Sequence, residues 1–340
     1  MKIAFFKLED WEKEYIQNHE EFKKLGADAV FFNEALDKNH IPKDTGAEAV
    51  CVFINSKVDK KVLDAFADLK FITTRSTGFD HIDMAECKKR GIAVASVPSY
   101  GEDTVAEYTF GLILALTRKI YQSVDQVRET GSFSKEGLRG IDLKGKTLGV
   151  IGTGKIGRNV IQIAKGFEVN ILACDVRADE QYAKQMGFRY CGQDELLQKS
   201  DIVTLHVPYI KATHHLINAK NITSMKRGSY LINTSRGGIV ETEVLIRALK
   251  DGHLAGAALD VLEEESAIED ELELFLEGRA EEHNLKTVLA NHVLIDMPNV
   301  IVTPHNAFNT WGALQRILDT TIDNLAAFQQ GSPQNLAQPI

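Results

Sequence analysis

Short runs of β-branched and aromatic residues alternate with helix-length segments along almost the whole chain. They include KIAFF and DAVFF near the start, TLGVIG and VNILACD in the middle, and NVIVTPH near the end. Strands that are bounded by turns and separated by helices predict parallel sheets covered by helices on both faces. Because 340 residues exceed what one ordinary core accommodates, we expect an α/β protein with two doubly wound domains and a cleft between them.

Charge and cysteine usage argue against several classes of protein. Acidic residues outnumber basic ones by 48 to 39, which disfavours binding to nucleic acid. The most apolar segment, YTFGLILALTR, is too short to span a bilayer, and the acidic N-terminal segment is not typical of a signal peptide. Widely separated cysteines without C-x-x-C spacing predict structural thiols in a reducing cytoplasm: Cys51, Cys87, Cys174 and Cys191.

A glycine pattern lies between a strand-like run and a helix-like run. Gly152, Gly154 and Gly157 have the spacing G-x-G-x-x-G, with TLGVI before them and a helical segment after them. In that context the first glycine makes a tight turn, the second lets the backbone approach a pyrophosphate, and the third allows close helix–strand packing. We therefore expect a Rossmann-like dinucleotide loop that also contains Lys155 and Ile156; a turn that binds nothing is the alternative.

The residue that ends the next strand run predicts which dinucleotide binds. Asp175 lies about 20 residues beyond the glycines, where a carboxylate takes the ribose hydroxyls and repels a 2′-phosphate. Arg177 nearby weakens that preference slightly. The sequence therefore predicts NAD rather than NADP as the cofactor.

The strand pattern gives way to a long apolar helix, DTVAEYTFGLILALTRKI, just after residue 100. Its apolar positions cover more than one face, so it must be buried between domains or against a second subunit, and we expect a homodimer; burial inside one domain is the alternative. The last helix, WGALQRILDTTIDNLAAFQQG, is expected to return to the first hundred residues. The predicted domains are a flavodoxin-like substrate domain, 1–100 plus 308–340, and an NAD-binding Rossmann domain, 101–307.

Polar or ionisable residues follow the apolar strand runs of the second predicted domain. In open α/β sheets, ligands bind outside the carboxyl ends of the strands, which makes chance salt bridges the less economical explanation. Arg236 in particular leaves a buried run and is followed by two glycines, so we expect it to face the cleft where the nicotinamide ends. The residues at these positions are Asp175, His206, Val207, Pro208, Ser235, Arg236, Asp260 and His305.

Six segments occurring in order carry a resemblance to a known family: RSTGFDHIDM, GTGKIGRNV, DIVTLHVP, INTSRGGIV, GAALDVLEEE and VTPHNAF. Over essentially its whole length the chain resembles the D-isomer-specific 2-hydroxyacid dehydrogenases, most of all their D-lactate dehydrogenase branch. The resemblance implies an NAD-dependent enzyme that interconverts a small 2-keto acid and its D-2-hydroxy acid, with pyruvate and D-lactate as the default pair. The alternatives are branched-chain or aromatic acids such as D-2-hydroxyisocaproate, glyoxylate or hydroxypyruvate, 3-phosphoglycerate, and a corepressor-type regulator that binds NAD(H).

The resemblance assigns the family's catalytic arginine, glutamate and histidine to Arg236, Glu265 and His305. The chemistry agrees, because a guanidinium fork can contact the carboxylate and the carbonyl of a 2-keto acid together. A histidine can give the oxyanion its proton, and a carboxylate on the other ring nitrogen fixes the tautomer and raises the pKa of that histidine. Glu264 is the alternative glutamate, since an acidic stretch, 263–299, begins at this point and is expected to form surface helices that could cover the cofactor cleft or mediate contacts.

Further site residues follow from the resemblance alone. It places the backbone amides of Thr77 and Gly78 against the substrate carboxylate and puts Tyr100, Phe308 and Trp311 around the pocket. The adjacent His214 and His215 suggest a metal, but neighbouring side chains rarely face one ion, so no metal site is predicted. In the cofactor site the resemblance implies that Asp260 orients the nicotinamide amide, beside His206, Val207, Pro208, Thr234 and Ser235.

Overall fold

A computed structural model describes residues 1–43, 46–265 and 284–338 of the chain. The chain divides into two compact units, Met1–Tyr100 with Thr310–Ile340, and Gly101–Asn309. Each unit contains its own parallel sheet flanked by helices, which confirms the predicted fold class of two parallel-sheet α/β domains.

In the described residues, the first unit has a five-stranded parallel sheet in the order β2-β1-β3-β4-β5, the flavodoxin-like order of a doubly wound sheet. Its elements are β1 (Lys2–Phe6), α1 (Asp10–Asn18), α2 (Glu20–Leu25), β2 (Asp28–Phe32), β3 (Ala49–Val52), α3 (Lys60–Asp64), β4 (Phe71–Thr74), α4 (Met84–Arg90) and β5 (Ala93–Ala95). The strands are short and rich in β-branched and aromatic residues, and β3 and β4 are buried at every position.

The second unit has a seven-stranded parallel sheet, counted over the described residues, in the order β12-β11-β10-β9-β6-β7-β8. Its strands are β6 (Thr147–Ile151), β7 (Asn170–Cys174), β8 (Arg189–Tyr190), β9 (Ile202–Leu205), β10 (Ser229–Asn233), β11 (Leu254–Leu259) and β12 (Val300–Val302). The strand order reverses between β6 and β9, and ligands of such sheets bind in the crevice at this switch point. Its helices are α5 (Glu102–Thr117), α6 (Ile120–Thr130), α7 (Lys155–Gly166), α8 (Glu180–Met186), α9 (Gln193–Lys199), α10 (Thr242–Lys250) and α11 (Leu285–Ile295).

The chain then returns to the first unit through α12 (Trp311–Gln329). Leu318 and Ile322 of this helix are fully buried in the same apolar cluster as Phe5 and Phe71. The first unit is therefore completed by a segment that lies more than 200 residues along the chain from its last strand.

Helix α5 packs on the sheet and helices of its own unit. Phe110 stacks on Phe167 with ring centroids 5.1 Å apart. Ile113 belongs to the same buried cluster as Val150 and Ile232 of the central strands. These contacts agree with the alternative of burial inside one domain, and the homodimer stays a prediction.

The unit boundary and the acidic stretch can be compared with the sequence-based expectation. The unit boundary falls after Asn309, so Phe308, which we grouped with residues 308–340, lies in the second unit, where its ring packs 6.3 Å from that of His305. Within the acidic stretch 263–299, residues 285–295 form α11, and 266–283 lie outside the described residues.

Among the helices that the structure describes, none is both long and apolar enough to cross a bilayer.

Candidate active site

The glycine loop joins β6 to α7 at the switch point of the second sheet. Gly152 has φ +94°, a left-handed conformation that side chains rarely adopt. A Cβ on Gly157 would lie 2.0 Å from the carbonyl oxygen of Gly152, so α7 can approach the strand only with glycine there. Gly154 caps the N-terminus of α7, and the space where its Cβ would stand is open. The loop therefore presents helix N–H groups to an unobstructed surface and fits the pyrophosphate of a dinucleotide.

Asp175 follows β7 and is held firmly beside this loop. Its Oδ2 accepts hydrogen bonds from the backbone N–H of Thr153 at 2.6 Å and from the Thr153 hydroxyl at 3.1 Å. Its Oδ1 accepts from the N–H of Arg177 at 2.8 Å. Burial acts to raise the pKa of Asp175, but these hydrogen bonds outweigh it and lower the pKa below its usual range. The carboxylate is thus fixed and ionised where ribose hydroxyls could donate to it.

His206 follows β9, directly across the switch point from the glycine loop. A Cβ on Gly152 would lie 2.4 Å from the carbonyl oxygen of His206, so the two chains are in close contact there. The His206 Nε2 lies 2.9 Å from the hydroxyl of Thr204, and its Nδ1 is a buried atom with no hydrogen-bond partner among the described residues. Loss of hydration lowers the pKa of His206 to about 3, so its ring is neutral at physiological pH.

Arg236 lies on a tight turn after β10. Its backbone is extended, and its carbonyl accepts a hydrogen bond from the Asn233 side chain at 2.9 Å. The guanidinium Nη1 donates to the carbonyl of Ser235 at 2.8 Å. A guanidinium carries several N–H donors in one plane, so the side chain can donate to more than one acceptor. A Cβ on Gly237 would lie 1.9 Å from the carbonyl carbon of Leu262, so this turn presses directly on the loop that precedes Glu265.

His305 and Glu265 form a hydrogen-bonded pair. The Nδ1 atom of His305 lies 2.8 Å from Oε1 of Glu265, which leaves Nε2 as the ring nitrogen that can meet a substrate. Glu265 also accepts a hydrogen bond from the N–H of Leu262 through its other oxygen, at 3.2 Å. The side chain of His305 is 22% exposed and that of Glu265 is 41% exposed, so the pair borders solvent rather than lying in the core.

Asp260 holds the loop that carries His305. Its carboxylate accepts hydrogen bonds from the Thr303 hydroxyl at 2.6 Å and from the N–H groups of Asn306 and Ala307 at 2.8 and 2.9 Å. Its carbonyl accepts the N–H of His305 at 2.8 Å, which helps to maintain the left-handed φ of +50° at that histidine. Burial raises the pKa of the Asp260 carboxyl, although these hydrogen bonds oppose the shift.

The other predicted substrate residues belong to the first unit: Thr77 and Gly78 follow β4, Tyr100 follows β5, and Trp311 begins α12. The Thr77 hydroxyl donates to the carbonyl of Val97 at 2.8 Å, which fixes the turn that contains Gly78. The carbonyl of Tyr100 accepts from Arg316 at 2.7 Å. Trp311 is 70% exposed and packs edge-on against Trp11, with ring centroids 5.2 Å apart.

Several polar residues around the site were not identified from the sequence. Tyr190 lies 2.8 Å from the Thr153 hydroxyl and so extends the hydrogen-bond network of Asp175. Glu263, which we interpreted as part of a solvated acidic run, bonds to His215 at 2.7 Å. No group of three or more metal-ligating side chains occurs within the described ranges. The available sequence signal for Glu263 was its place two residues before Glu265, and the fold was needed to interpret it.

Comparisons with known proteins agree with this geometry. A family model described as D-isomer specific 2-hydroxyacid dehydrogenase, NAD binding domain, matches residues 110–307. A 2-hydroxyacid dehydrogenase homolog of Zymomonas mobilis subsp. mobilis is 39% identical over 334 residues, 97% of this chain and 98% of the relative. The glyoxylate reductase of Thermofilum pendens is 41% identical over 303 residues, 88% of this chain and 82% of the relative. The D-lactate dehydrogenase of Aquifex aeolicus, solved with NAD and lactic acid, superposes with a TM-score of 0.85 at 37% identity, covering 97% and 96% of the two chains.

The two α/β units and the dinucleotide loop define an NAD-dependent oxidoreductase. Since the family model covers more than half of the chain and relatives match it almost end to end, the chain belongs to the D-isomer-specific 2-hydroxyacid dehydrogenase family. The resemblance seen in the sequence is thereby confirmed, and so is NAD as the cofactor.

Proposed function

We propose that this enzyme reduces a small 2-keto acid to its D-2-hydroxy acid and catalyses the reverse reaction, with pyruvate and D-lactate as the main pair. The observation that carries the proposal is the 2.8 Å contact between His305 Nδ1 and Glu265, which leaves Nε2 for proton exchange with a substrate. When it is bound, the dinucleotide supplies the hydride for reduction or accepts it in oxidation. The protein must therefore bind the acid, orient it and move one proton.

His305 is the proposed acid and base. As an imidazolium it donates the Nε2 proton to the oxygen of the reduced carbonyl, and as a neutral ring it accepts the hydroxyl proton in the reverse direction. Glu265 accepts a hydrogen bond from Nδ1 and so fixes the orientation of the ring and the tautomer that presents Nε2 to the substrate. The exposure of this pair at the edge of the second unit is consistent with access for a small substrate.

Arg236 is the proposed substrate clamp. Its guanidinium fork can donate to the carboxylate and to the keto oxygen of the same molecule, which a point charge cannot do. The backbone N–H groups of Thr77 and Gly78 would bind the carboxylate from the first unit. Tyr100 and Phe308 would line the pocket around the methyl group of pyruvate.

The cofactor residues are proposed from the geometry of the second unit and the family resemblance. The glycine loop binds the pyrophosphate, and the fixed carboxylate of Asp175 accepts the ribose hydroxyls. Asp260 anchors the His305 loop, and its remaining lone pairs can accept the nicotinamide amide. The other proposed cofactor contacts are Lys155, Ile156, His206, Val207, Pro208, Thr234 and Ser235.

Glyoxylate or hydroxypyruvate is the second candidate substrate, because a glyoxylate reductase is 41% identical to this chain. A phosphorylated acid is disfavoured, since the cation available near the strand ends of the first unit, Arg75, is 2% exposed and paired with Glu12 at 2.6 Å. A regulator without turnover is disfavoured because Arg236 and His305 are both present. Turnover of larger acids such as 2-ketoisocaproate depends on the size of the substrate pocket.

We also propose a homodimer, formed through α6 rather than α5. No residue of α6 is buried, and Ile120, Val124 and Val127 recur on one helical face at 48%, 45% and 41% exposure. Phe133 just beyond the helix is 86% exposed. Light scattering should give the mass of two chains for the wild type and of one chain for Val124→Asp; a wild-type monomer would contradict this proposal.

The free thiols fit a cytoplasmic location, which we propose as well.

The proposed reaction is tested by following NADH oxidation with pyruvate, phenylpyruvate, 2-ketoisocaproate, glyoxylate and hydroxypyruvate, with chiral analysis of each chiral product. We expect turnover that favours pyruvate and gives the D-hydroxy acid. A higher kcat/KM for glyoxylate or hydroxypyruvate would replace pyruvate by the second candidate. Tight NADH binding without turnover of any acid would overturn the proposal.

A further inference from the structure

Glu263 lies two residues before Glu265, and three neighbours hold it in place. Its Oε1 lies 2.7 Å from Nε2 of His215. Its Oε2 accepts hydrogen bonds from the backbone N–H of Thr242 at 3.0 Å and from the Thr242 hydroxyl at 2.5 Å. Its carbonyl oxygen accepts the Asn291 side chain at 2.6 Å. With 16% of its side chain exposed, Glu263 is attached to the rest of the unit far more tightly than a surface carboxylate is.

The loop that Glu263 holds determines where the Glu265 carboxylate points. Glu264 between them has φ +54°, in the left-handed region that residues other than glycine rarely adopt. Leu262 N–H donates back to Glu265 at 3.2 Å, while the other oxygen of Glu265 meets His305. A small displacement of the 262–265 backbone would therefore move the carboxylate relative to the histidine ring.

His215 extends this attachment to the turn that carries Arg236. Its N–H donates to the carbonyl of Gly238 at 2.8 Å, in a left-handed conformation with φ +49°. Its ring stacks on His214 at 3.9 Å, and His214 bonds in turn to the Tyr209 hydroxyl at 3.0 Å. His215 thus links the backbone beside Arg236, through its own backbone N–H, to the side chain of Glu263, through its ring.

We infer that Glu263, together with His215, is a positioning residue that sets the contact between Glu265 and His305. It touches neither substrate nor cofactor; it holds the loop from which Glu265 reaches the Nδ1 atom of His305. The inference rests on the proposed function, because that function gives the His305 proton its role. Its consequence is that kcat depends on Glu263, although Glu263 does not itself contact His305.

The test compares Glu263→Ala, Glu263→Gln and His215→Ala with a control on the same helix pair. Glu243→Gln is a suitable control, since Glu243 links α10 to Lys286 of α11 at 2.6 Å from a more exposed position. For Glu263→Ala we expect a loss of kcat of about tenfold or more, with NADH affinity unchanged. Glu263→Gln keeps an acceptor for Thr242, so it should recover part of the activity, and Glu243→Gln should behave as the wild type.

The split between kcat and KM separates positioning from mere folding. A residue that only supports folding would lower the concentration of active enzyme, so kcat would fall in proportion to the fraction of protein that binds NADH. We expect Glu263→Ala and His215→Ala to lower kcat, corrected for that fraction, by about tenfold or more while KM for the keto acid stays unchanged. Losses that match a fall in the fraction of NADH-binding protein would overturn the inference.

A measurement without turnover keeps this inference distinct from the proposed reaction. In NMR spectra of protein labelled at its histidines, the Nδ1 signal of the His305 ring, assigned from a His305→Gln spectrum, reports the contact with Glu265. A changed chemical shift of this signal in Glu263→Ala, with no change in Glu243→Gln, supports the positioning role, even if no keto acid in the panel is a substrate. Equal chemical shifts in Glu263→Ala and the wild type would show that Glu263 does not act on the pair.

Discussion

Gly237 lies so close to Leu262 that a Cβ on the glycine would stand 1.9 Å from the leucine carbonyl carbon and 2.2 Å from the N atom of Glu263. The backbone beside Arg236 and the backbone that leads to Glu265 are therefore in direct contact. This contact gives a physical reason for glycine after the arginine: a side chain at residue 237 would push apart the two loops that carry the proposed clamp and the proposed acid–base pair.

Gly237→Ala should reduce activity strongly, because backbone atoms surround the added methyl group and cannot rotate away. We expect a fall in kcat/KM of about 100-fold, the scale of a misplacement of about 1 Å in an active site. Gly238→Ala is the matched control. The three atoms nearest to its Cβ would all belong to the side chain of Tyr209, the closest at 2.7 Å, and that side chain is 40% exposed, so we expect a smaller loss than for Gly237→Ala. Steady-state kinetics that showed both variants equally active would refute the close-contact argument.

Arg236→Lys should lose about 10- to 100-fold in kcat/KM for pyruvate while NADH affinity is kept. A lysine retains the positive charge but not the planar fork that binds carboxylate and carbonyl together. The experiment is a kinetic comparison at saturating NADH, with fluorescence titration of NADH as the folding control. Near-normal turnover in this variant would remove Arg236 from the role of clamp.

His305→Gln should lower kcat by about 100- to 10,000-fold, the usual contribution of a general acid or base. Glutamine approximates the size of the ring and can still bond to Glu265, so the loop held by Asp260 should persist. Stopped-flow measurements should show NADH binding within about twofold of the wild type, since the groups proposed to hold the pyrophosphate and the ribose are unchanged. Turnover that survives with intact binding would mean that another group transfers the proton.

The fold could be predicted because its strands appear in the sequence as short runs of β-branched and aromatic residues. The exception is β8, whose Arg189 and Tyr190 are too few to show any periodicity. The glycine loop and Asp175 were also within reach, because each lies at a fixed distance from a strand that is recognisable by itself.

The contacts that support the site from outside could not be predicted from the sequence. Glu263 meets Thr242 and His215 only because β10 and β11 pair side by side and bring three distant loops to one edge of the sheet. Tyr190 reaches Thr153 only through the pairing of β7 with β8. The spacing of residues in the sequence does not show which distant residues the sheet brings together. An acidic run that anchors a loop therefore has the same sequence pattern as one that faces water.

Asp175→Ala should relax the choice of NADH over NADPH by about tenfold or more, because it removes a fixed carboxylate that accepts hydroxyls and repels phosphate. Tyr190→Phe should relax it less, since that variant loses only the 2.8 Å contact with the Thr153 hydroxyl and leaves the carboxylate in place. The measurement is the ratio of kcat/KM for the two cofactors. An unchanged ratio in Asp175→Ala would exclude the residue from ribose recognition.

His206 should make the protein less stable in mild acid. Burial lowers its pKa to about 3 in the folded state, whereas a histidine in an unfolded chain has a pKa of about 6.5. As the pH falls from 7, the unfolded chain binds the proton first, so stability present above pH 6.5 is lost progressively until the folded ring is also protonated near pH 3. Between pH 7 and pH 5 this one residue should account for about 2 kcal/mol of lost stability.

His206→Gln lacks the titrating ring and should not show this loss. Urea unfolding at a fixed protein concentration, carried out at pH 7 and at pH 5, measures the free energy of unfolding of both proteins. The wild type should lose about 2 kcal/mol more than the variant over that interval, whatever the variant's stability at pH 7. Parallel losses in the two proteins would show that the His206 ring binds its proton equally well in the folded and unfolded states, and that burial beside the glycine loop does not depress its pKa.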